Sequence, residues 1–153
     1  MPEIVFIDSE ISVTTQDICD LGAVRPDKSS FHSASQAEFS RFVSGAEYVC
    51  GHNIIGFDLK YVGRLITGSY TPIDTLYLSP LLFPNRPYHK LLKDDKLQTE
   101  ELNNPLNDSI KAMELFYDEV DAFRRLPKAM RRIFCALLSD KYEYSGFFKF
   151  IGM

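Results

Sequence analysis

The apolar run Ile4-Val5-Phe6-Ile7, closed by Asp8-Ser9-Glu10, constrains this chain more than any other segment. An unbroken set of branched and aromatic residues reads as a strand buried on both faces, over Glu3–Asp8. Such a strand needs a layer on each side of its sheet. Its C-terminal end then carries an electrostatic problem. Asp8 and Glu10 stand at i and i+2, so they point to the same face of an extended chain, about 5–7 Å apart, and repel each other unless a cation lies between them. A divalent metal site is the first expectation.

The 153 residues suffice for one domain, 1–153, with a substantial core. A hydrophobic content of 45% excludes a disordered chain, and no apolar stretch is long enough to cross a membrane. Met1-Pro2-Glu3 lacks the regions of a secretory signal. Cys19, Cys50 and Cys135 are odd in number and widely spaced, which argues against a disulfide framework and a zinc site and fits a reducing cytoplasm. The net charge of −4 disfavours a general cationic nucleic-acid binder. It leaves a nuclease open, because bound divalent cations cancel part of a carboxylate cluster.

Along the chain, Ile18–Val24 reads as a second strand, antiparallel to the first, and a short third strand is expected near Ser30–His32. Ser35–Val43 has a helical pattern, Glu47–Gly51 a strand, Phe57–Ile66 a helix, and Thr71–Thr75 a short strand or turn leading into apolar Leu76–Phe83. His89–Asp95 is expected to be helical. Asn104 before Pro105 reads as the N-cap and first position of a helix. Its apolar stripe is expected at Leu106, Ile110, Met113, Tyr117 and Val120, with Ala112, Leu115 and Phe116 broadening it. Pro127 opens a further helix, Lys128–Leu138, before an aromatic tail. The order of elements predicts an α/β fold with a mixed sheet flanked by helices.

Two further carboxylates lie near element ends. Asp58 closes Gly51-His52-Asn53-Ile54-Ile55-Gly56-Phe57-Asp58, which leaves a strand and enters a helix; Asn53 can hold that loop through its side-chain amide. The structural alternative is that Asp58 complements the helix dipole. Asp108 falls in the first turn of the Pro105 helix, off the expected stripe, where a solvated Asp is the plain reading.

Together these segments resemble the DEDD, or DnaQ-like, superfamily of 3′-to-5′ exonucleases, which has a ribonuclease H-like fold. Ile4 to Glu10 is similar to its first motif, a strand ending in Asp-x-Glu. Gly51 to Asp58 is similar to its second, His-Asn-x-x-Phe-Asp, with one residue more. Ile73-Asp74-Thr75-Leu76 is similar to the common Asp-Thr-Leu stretch. Asn103-Asn104-Pro105-Leu106-Asn107-Asp108 aligns with the third, His-x-Ala-x-x-Asp. The resemblance covers roughly residues 3–120 and extends to exonuclease domains attached to bacterial helicases; the aromatic tail, which ends without a polar cap, is compatible with a domain cut from a longer protein. It implies two Mg²⁺ or Mn²⁺ ions about 3.5–4 Å apart, held by Asp8, Glu10, Asp58 and Asp108. Asp8 would bridge them, Glu10 and Asp108 would complete one site, and Asp58 would bind the other ion through water. Ser9, His52 and Asn53 would contact or position the substrate, with Phe6 and Ile7 beside them. The implied partner is nucleic acid with single-stranded or frayed 3′ ends.

The family's general base is replaced. The histidine position, five before Asp108, is Asn103, and the tyrosine position is Asn104. Neither takes a proton from water at neutral pH. Either His89 supplies the base, or the metals alone activate water, at a cost of about 10²–10⁴ in rate, or the domain binds ends without cutting. A solvated histidine at a helix start is the plain reading of His89. His32 reads as a turn or edge residue. Arg124, Arg125, Lys128, Arg131 and Arg132 form a basic cluster suited to phosphate contact or to a solvated helix end. Arg125, Lys128 and Arg132 share one face only if the helix continues through Pro127. Three functions follow: a metal-dependent exonuclease with DNA favoured, a non-catalytic end- or partner-binding module, and an oligoribonuclease-like enzyme on short RNA.

Overall fold

The computed structural model describes residues 2–91 and 104–153. Five strands form one sheet in the order β3-β2-β1-β4-β5, with β1 (Ile4–Ile11), β2 (Ile18–Val24), β3 (Ser30–Ser33), β4 (Tyr48–Gly51) and β5 (Thr71–Asp74). β1 pairs antiparallel with β2 and parallel with β4; β2 and β3 are antiparallel, and β4 and β5 parallel. This mixed sheet flanked by helices is the ribonuclease H-like arrangement. The helices are α1 (Gln36–Val43), α2 (Leu59–Val62), α3 (Thr75–Leu82), α4 (Pro105–Arg125), α5 (Lys128–Leu138) and α6 (Tyr142–Phe150). Among the described residues no helix is long and apolar enough to cross a membrane.

The unbroken apolar run behaves as its composition requires. Ile4 and Phe6 join one core with Phe116, Val120, Phe123, Phe147 and Phe148 of α4 and α6. Val5 and Ile7 join the other with Phe39, Val43 and Val62 of α1 and α2. Strand alternation thus assigns one face of the sheet to α4 and α6 and the opposite face to α1 and α2. Edge-on aromatic contacts bind the first layer, including Phe116 to Phe150 at 5.2 Å and Phe123 to Phe147 at 5.4 Å.

Several expected boundaries shift. The Phe57–Ile66 helix is broken into a π-helical turn over Ile54–Asp58, α2, and a 3₁₀ turn over Gly63–Leu65. His89 to Leu91 are not helical, and the remainder of the expected His89–Asp95 helix lies outside the described residues. The buried stripe of α4 is Pro105, Asp108, Ser109, Ala112, Phe116, Glu119, Val120 and Phe123, with Tyr117 exposed. Of the expected stripe, Val120 is buried and Ile110 and Met113 pack against the core, but the buried face is turned toward Asp108 and Glu119, so that the helix buries two carboxyl groups. α4 ends at Arg125 and α5 begins after Pro127, so Arg125, Lys128 and Arg132 do not share one helix.

Glu119 is fully buried, and neither carboxyl oxygen has a hydrogen-bond partner among the described residues. Burial, reinforced by the Asp74 carboxylate, pushes its pKa from the ordinary 4.5 up to about 10. A folded-state pKa above the unfolded one gives a stability contribution that is complete below about pH 4.5 and lost as the pH rises through about 10. Glu119→Gln removes that loss. It is expected to raise Tm at pH 8 by about 3 °C or more and to flatten the decline in stability from pH 5 to pH 9, as followed by thermal melts across a buffer series.

Candidate metal and nucleic-acid site

The carboxyl ends of the parallel strands β1 and β4 lie at the same edge of the sheet, which is where chemistry gathers in open α/β sheets. Asp8 is half-buried and follows Phe6 by two residues, so it shares the α4 face; Phe6 packs on Phe116 of α4 at 5.7 Å. Glu10 is on the same face and exposed. It pairs across the sheet with Asp20, next to an irregularity at Glu10/Ile11. Asp20 in turn holds His32, whose Nε2 lies 2.7 Å from its carboxylate. His32, on the edge strand β3, therefore has a structural partner on β2.

Asp108 arrives on the same face through a close backbone approach. Gly22, the β2 partner of Asp8, lies so near the start of α4 that a Cβ there would fall 2.3 Å from the Leu106 amide nitrogen and 2.3 Å from the Pro105 carbonyl carbon. The helix is started by Asn104, whose side-chain oxygen accepts from the Leu106 N–H at 2.9 Å and, more weakly, from that of Asn107 at 3.5 Å. Asp108, in the first turn, is buried at 8% exposure. This corrects the reading of Asp108 as a solvated helix-start residue. Asn103 lies outside the described residues.

Asp58 comes from the opposite layer. It is 3% exposed, and its Oδ2 accepts from the Ser9 amide at 2.9 Å and the Ser9 hydroxyl at 2.6 Å. Burial raises its pKa to about 6, and the two Ser9 bonds oppose that rise. Ser9 therefore anchors Asp58 with the donors that the sequence had offered to substrate. The extra residue in Asn53-Ile54-Ile55-Gly56-Phe57-Asp58 is absorbed by the π-helical turn, in which the Leu59 N–H reaches the Ile54 carbonyl five residues back. Such a turn widens the coil by one residue and returns Asp58 to the sheet edge.

The loop before it is built on Asp74. This carboxylate is fully buried and accepts from the backbone N–H groups of Asn53 at 2.7 Å, Ile55 at 2.9 Å and Leu76 at 3.0 Å. Asn53 has φ +64° and makes no side-chain cap bond, so its conformation and main-chain N–H do the work expected of its amide. His52 stands beside it with Nδ1 2.7 Å from the Thr75 hydroxyl and Nε2 2.8 Å from the His89 carbonyl. Burial holds the His52 pKa below its ordinary value, which favours the neutral ring. Because a carbonyl only accepts, Nε2 carries the proton and Nδ1 accepts from Thr75. His89 is tied to α3 through Nδ1 and the Ser79 hydroxyl at 2.8 Å. Neither His52 nor the Asp74 carboxylate is left over for chemistry; both fix the loop.

Asp8, Glu10, Asp58 and Asp108 lie on three separate segments, of which the Asp58 segment is bonded to β1 at Ser9 and the Asp108 segment packs on β2 at Gly22. Their all-oxygen donor set suits a hard cation such as Mg²⁺ or Mn²⁺ in type. Among the described residues, no three His, Cys, Asp or Glu side chains lie close enough to hold a metal ion as they stand. Cation binding would have to draw these side chains together.

Asp74→Ala leaves the N–H groups of Asn53, Ile55 and Leu76 without their acceptor. The expected cost is on the order of 3 kcal/mol or more, read as a lower midpoint in urea denaturation. Asp74→Asn, which keeps one acceptor oxygen, is expected to fall between the two.

No family model and no curated protein sequence matches the chain. The fold is shared with a solved structure, Brucella melitensis NrnC, at a TM-score of 0.64 and 14% sequence identity, over 97% of this chain and 82% of that one.

Proposed function

We propose that this chain is a metal-dependent 3′-to-5′ exonuclease that hydrolyses nucleic acid, DNA favoured, to mononucleotides at single-stranded or frayed 3′ ends. The observation that supports this reading is the fastening of two elements to the end of β1: Asp58 is bonded to Ser9, the neighbour of Asp8, and the first turn of α4, which carries Asp108, lies against Gly22, the strand partner of Asp8. The similarity of the chain's motifs to the DEDD exonucleases, and a fold shared with NrnC over 97% of its length, support it.

Asp8, Glu10, Asp58 and Asp108 would hold the two ions. When bound, the metals supply Lewis-acid stabilisation of phosphoryl charge and a water of lowered pKa. The chain's own contribution is to present these carboxylates as oxygen donors and to hold Asp58 through Ser9. Full-length protein with Mn²⁺ is expected to release mononucleotides from a 3′-labelled strand, and Asp8→Ala to reduce release to background. Full activity in both Asp8→Ala and Asp58→Ala sinks the proposal.

A second reading, a nuclease-fold module that binds ends or partners without cutting, is favoured by Asn104. Its side chain is committed to the α4 cap, so the tyrosine-branch base position is occupied by a structural residue. Here strand binding persists while added Mn²⁺ gives no cleavage. Asn103→His tests the missing base: an exonuclease without another base gains about 10² or more in rate, and the binding module gains none. His89 remains the candidate base within the exonuclease reading, and short RNA the alternative substrate. A His89→Gln variant and matched DNA and RNA oligonucleotides test these two points.

A further inference from the structure

We propose that the cavity between the Phe83–Leu91 stretch and α4 is a nucleotide subsite, which takes the phosphate and base edge of one nucleotide beside the carboxylate end of the sheet. The cavity has a volume of about 310 Å³ and is lined by Arg86, His89 and Lys90 on one wall and by Lys111, Glu114 and Asp118 of α4 on the other. That volume is at the lower end of the range of small-molecule sites. Lys111 lies one helical turn beyond Asp108, a rise of about 4.5 Å. The subsite therefore continues along α4 from the proposed metal ligands.

The charges in it are not spent on one another. Ion pairs among the described residues join Arg25 to Glu3, His32 to Asp20 and Lys141 to Asp140, and none joins the cavity's cations to its carboxylates. Arg86 is held in place by stacking over the Phe83 ring at 4.1 Å, which leaves its N–H edge available. The nearby buried Glu119 carboxyl, neutral near pH 7, does not offset the Arg86 charge. His89 is anchored twice, by Ser79 on Nδ1 and by His52 on its carbonyl, and its Nε2 has no partner among the described residues.

The mixture selects the ligand class. Three cations suit a phosphate. Glu114 and Asp118 are acceptors, and carboxylates on a base edge accept from exocyclic amino groups, as in cytosine N4. A ligand with an anion at one end and N–H donors at the other satisfies both walls. A nucleotide has that chemistry, whether it is a unit of a strand or a free 5′-mononucleotide.

This subsite rests on the exonuclease reading for the origin of its nucleotide, and the test separates the two. Binding of a fluorescein-labelled single strand to the 153-residue chain is measured in EDTA across a salt series. Arg86→Gln and Lys111→Gln are each expected to weaken binding about tenfold and to lower the salt slope by about 0.7. Glu114→Gln is expected to reduce the preference for cytosine-containing over thymine-only strands. Competition by 5′-CMP identifies the free mononucleotide as an occupant; strand binding without such competition identifies a unit of the strand. Affinity and salt slope unchanged in both cation variants overturn the subsite, as does an absence of strand and mononucleotide binding by the wild type. EDTA removes any carboxylate-bound cation, so this failure leaves Asp8-dependent cleavage untouched. Retention of full cleavage in Asp8→Ala would leave the subsite untouched.

Discussion

The close approach of the α4 backbone to Gly22 is the contact on which the candidate site depends. Antiparallel pairing puts Gly22 beside Asp8, and the missing side chain lets Pro105 and Leu106 lie directly on the strand. Any Cβ at that position meets backbone, which cannot rotate away. Farther along the same helix, Phe116 and Phe123 sit in the aromatic core under β1. Packing at one end of α4 and contact at the other fix its line across the sheet. Asp108 is buried because of that line, and not because its own neighbours in sequence are apolar.

The second layer solves a different problem, the placing of Asp58 at the end of a loop. Main-chain N–H groups that leave a strand must find acceptors or water. Asp74 supplies the acceptors from the next strand, and the left-handed Asn53 turns the chain so that two of those groups face it. His52 extends the same fastening to the Phe83–Leu91 stretch through the His89 carbonyl. The segment that resembles the second motif is therefore tied to the end of β5 and to one wall of the cavity at α4. A disturbance at Asp74 would reach both.

Much of this was legible in the amino-acid order, for physical reasons that differ by residue. β1 was readable because an apolar run without alternation has few other uses, and α4 because Asn104-Pro105 is a strong start signal. Asp8 and Glu10 stood out through their mutual repulsion. Periodicity alone makes Asp108 a solvated residue, because it ranks the apolar spacing above a stripe holding Asp108 and Glu119; the motif resemblance points to the buried carboxyl instead. The π-helical turn left only a weak trace, one residue too many between Asn53 and Asp58. Ser9 as the anchor of Asp58 was not legible, since the contact spans 49 positions in sequence and depends on both layers being in place.

Asn104 shows how one residue limits both structure and chemistry. Its side-chain oxygen closes the first turn of α4, a cap worth about 1 kcal/mol, and that turn is the one lying on Gly22. A bulky phenol at the same position would surrender the cap and loosen the helix start that delivers Asp108. Asn104 thus serves the placement of a carboxylate through the helix start. In the proposed exonuclease reading it takes no proton from water, because its side-chain oxygen is already holding the helix.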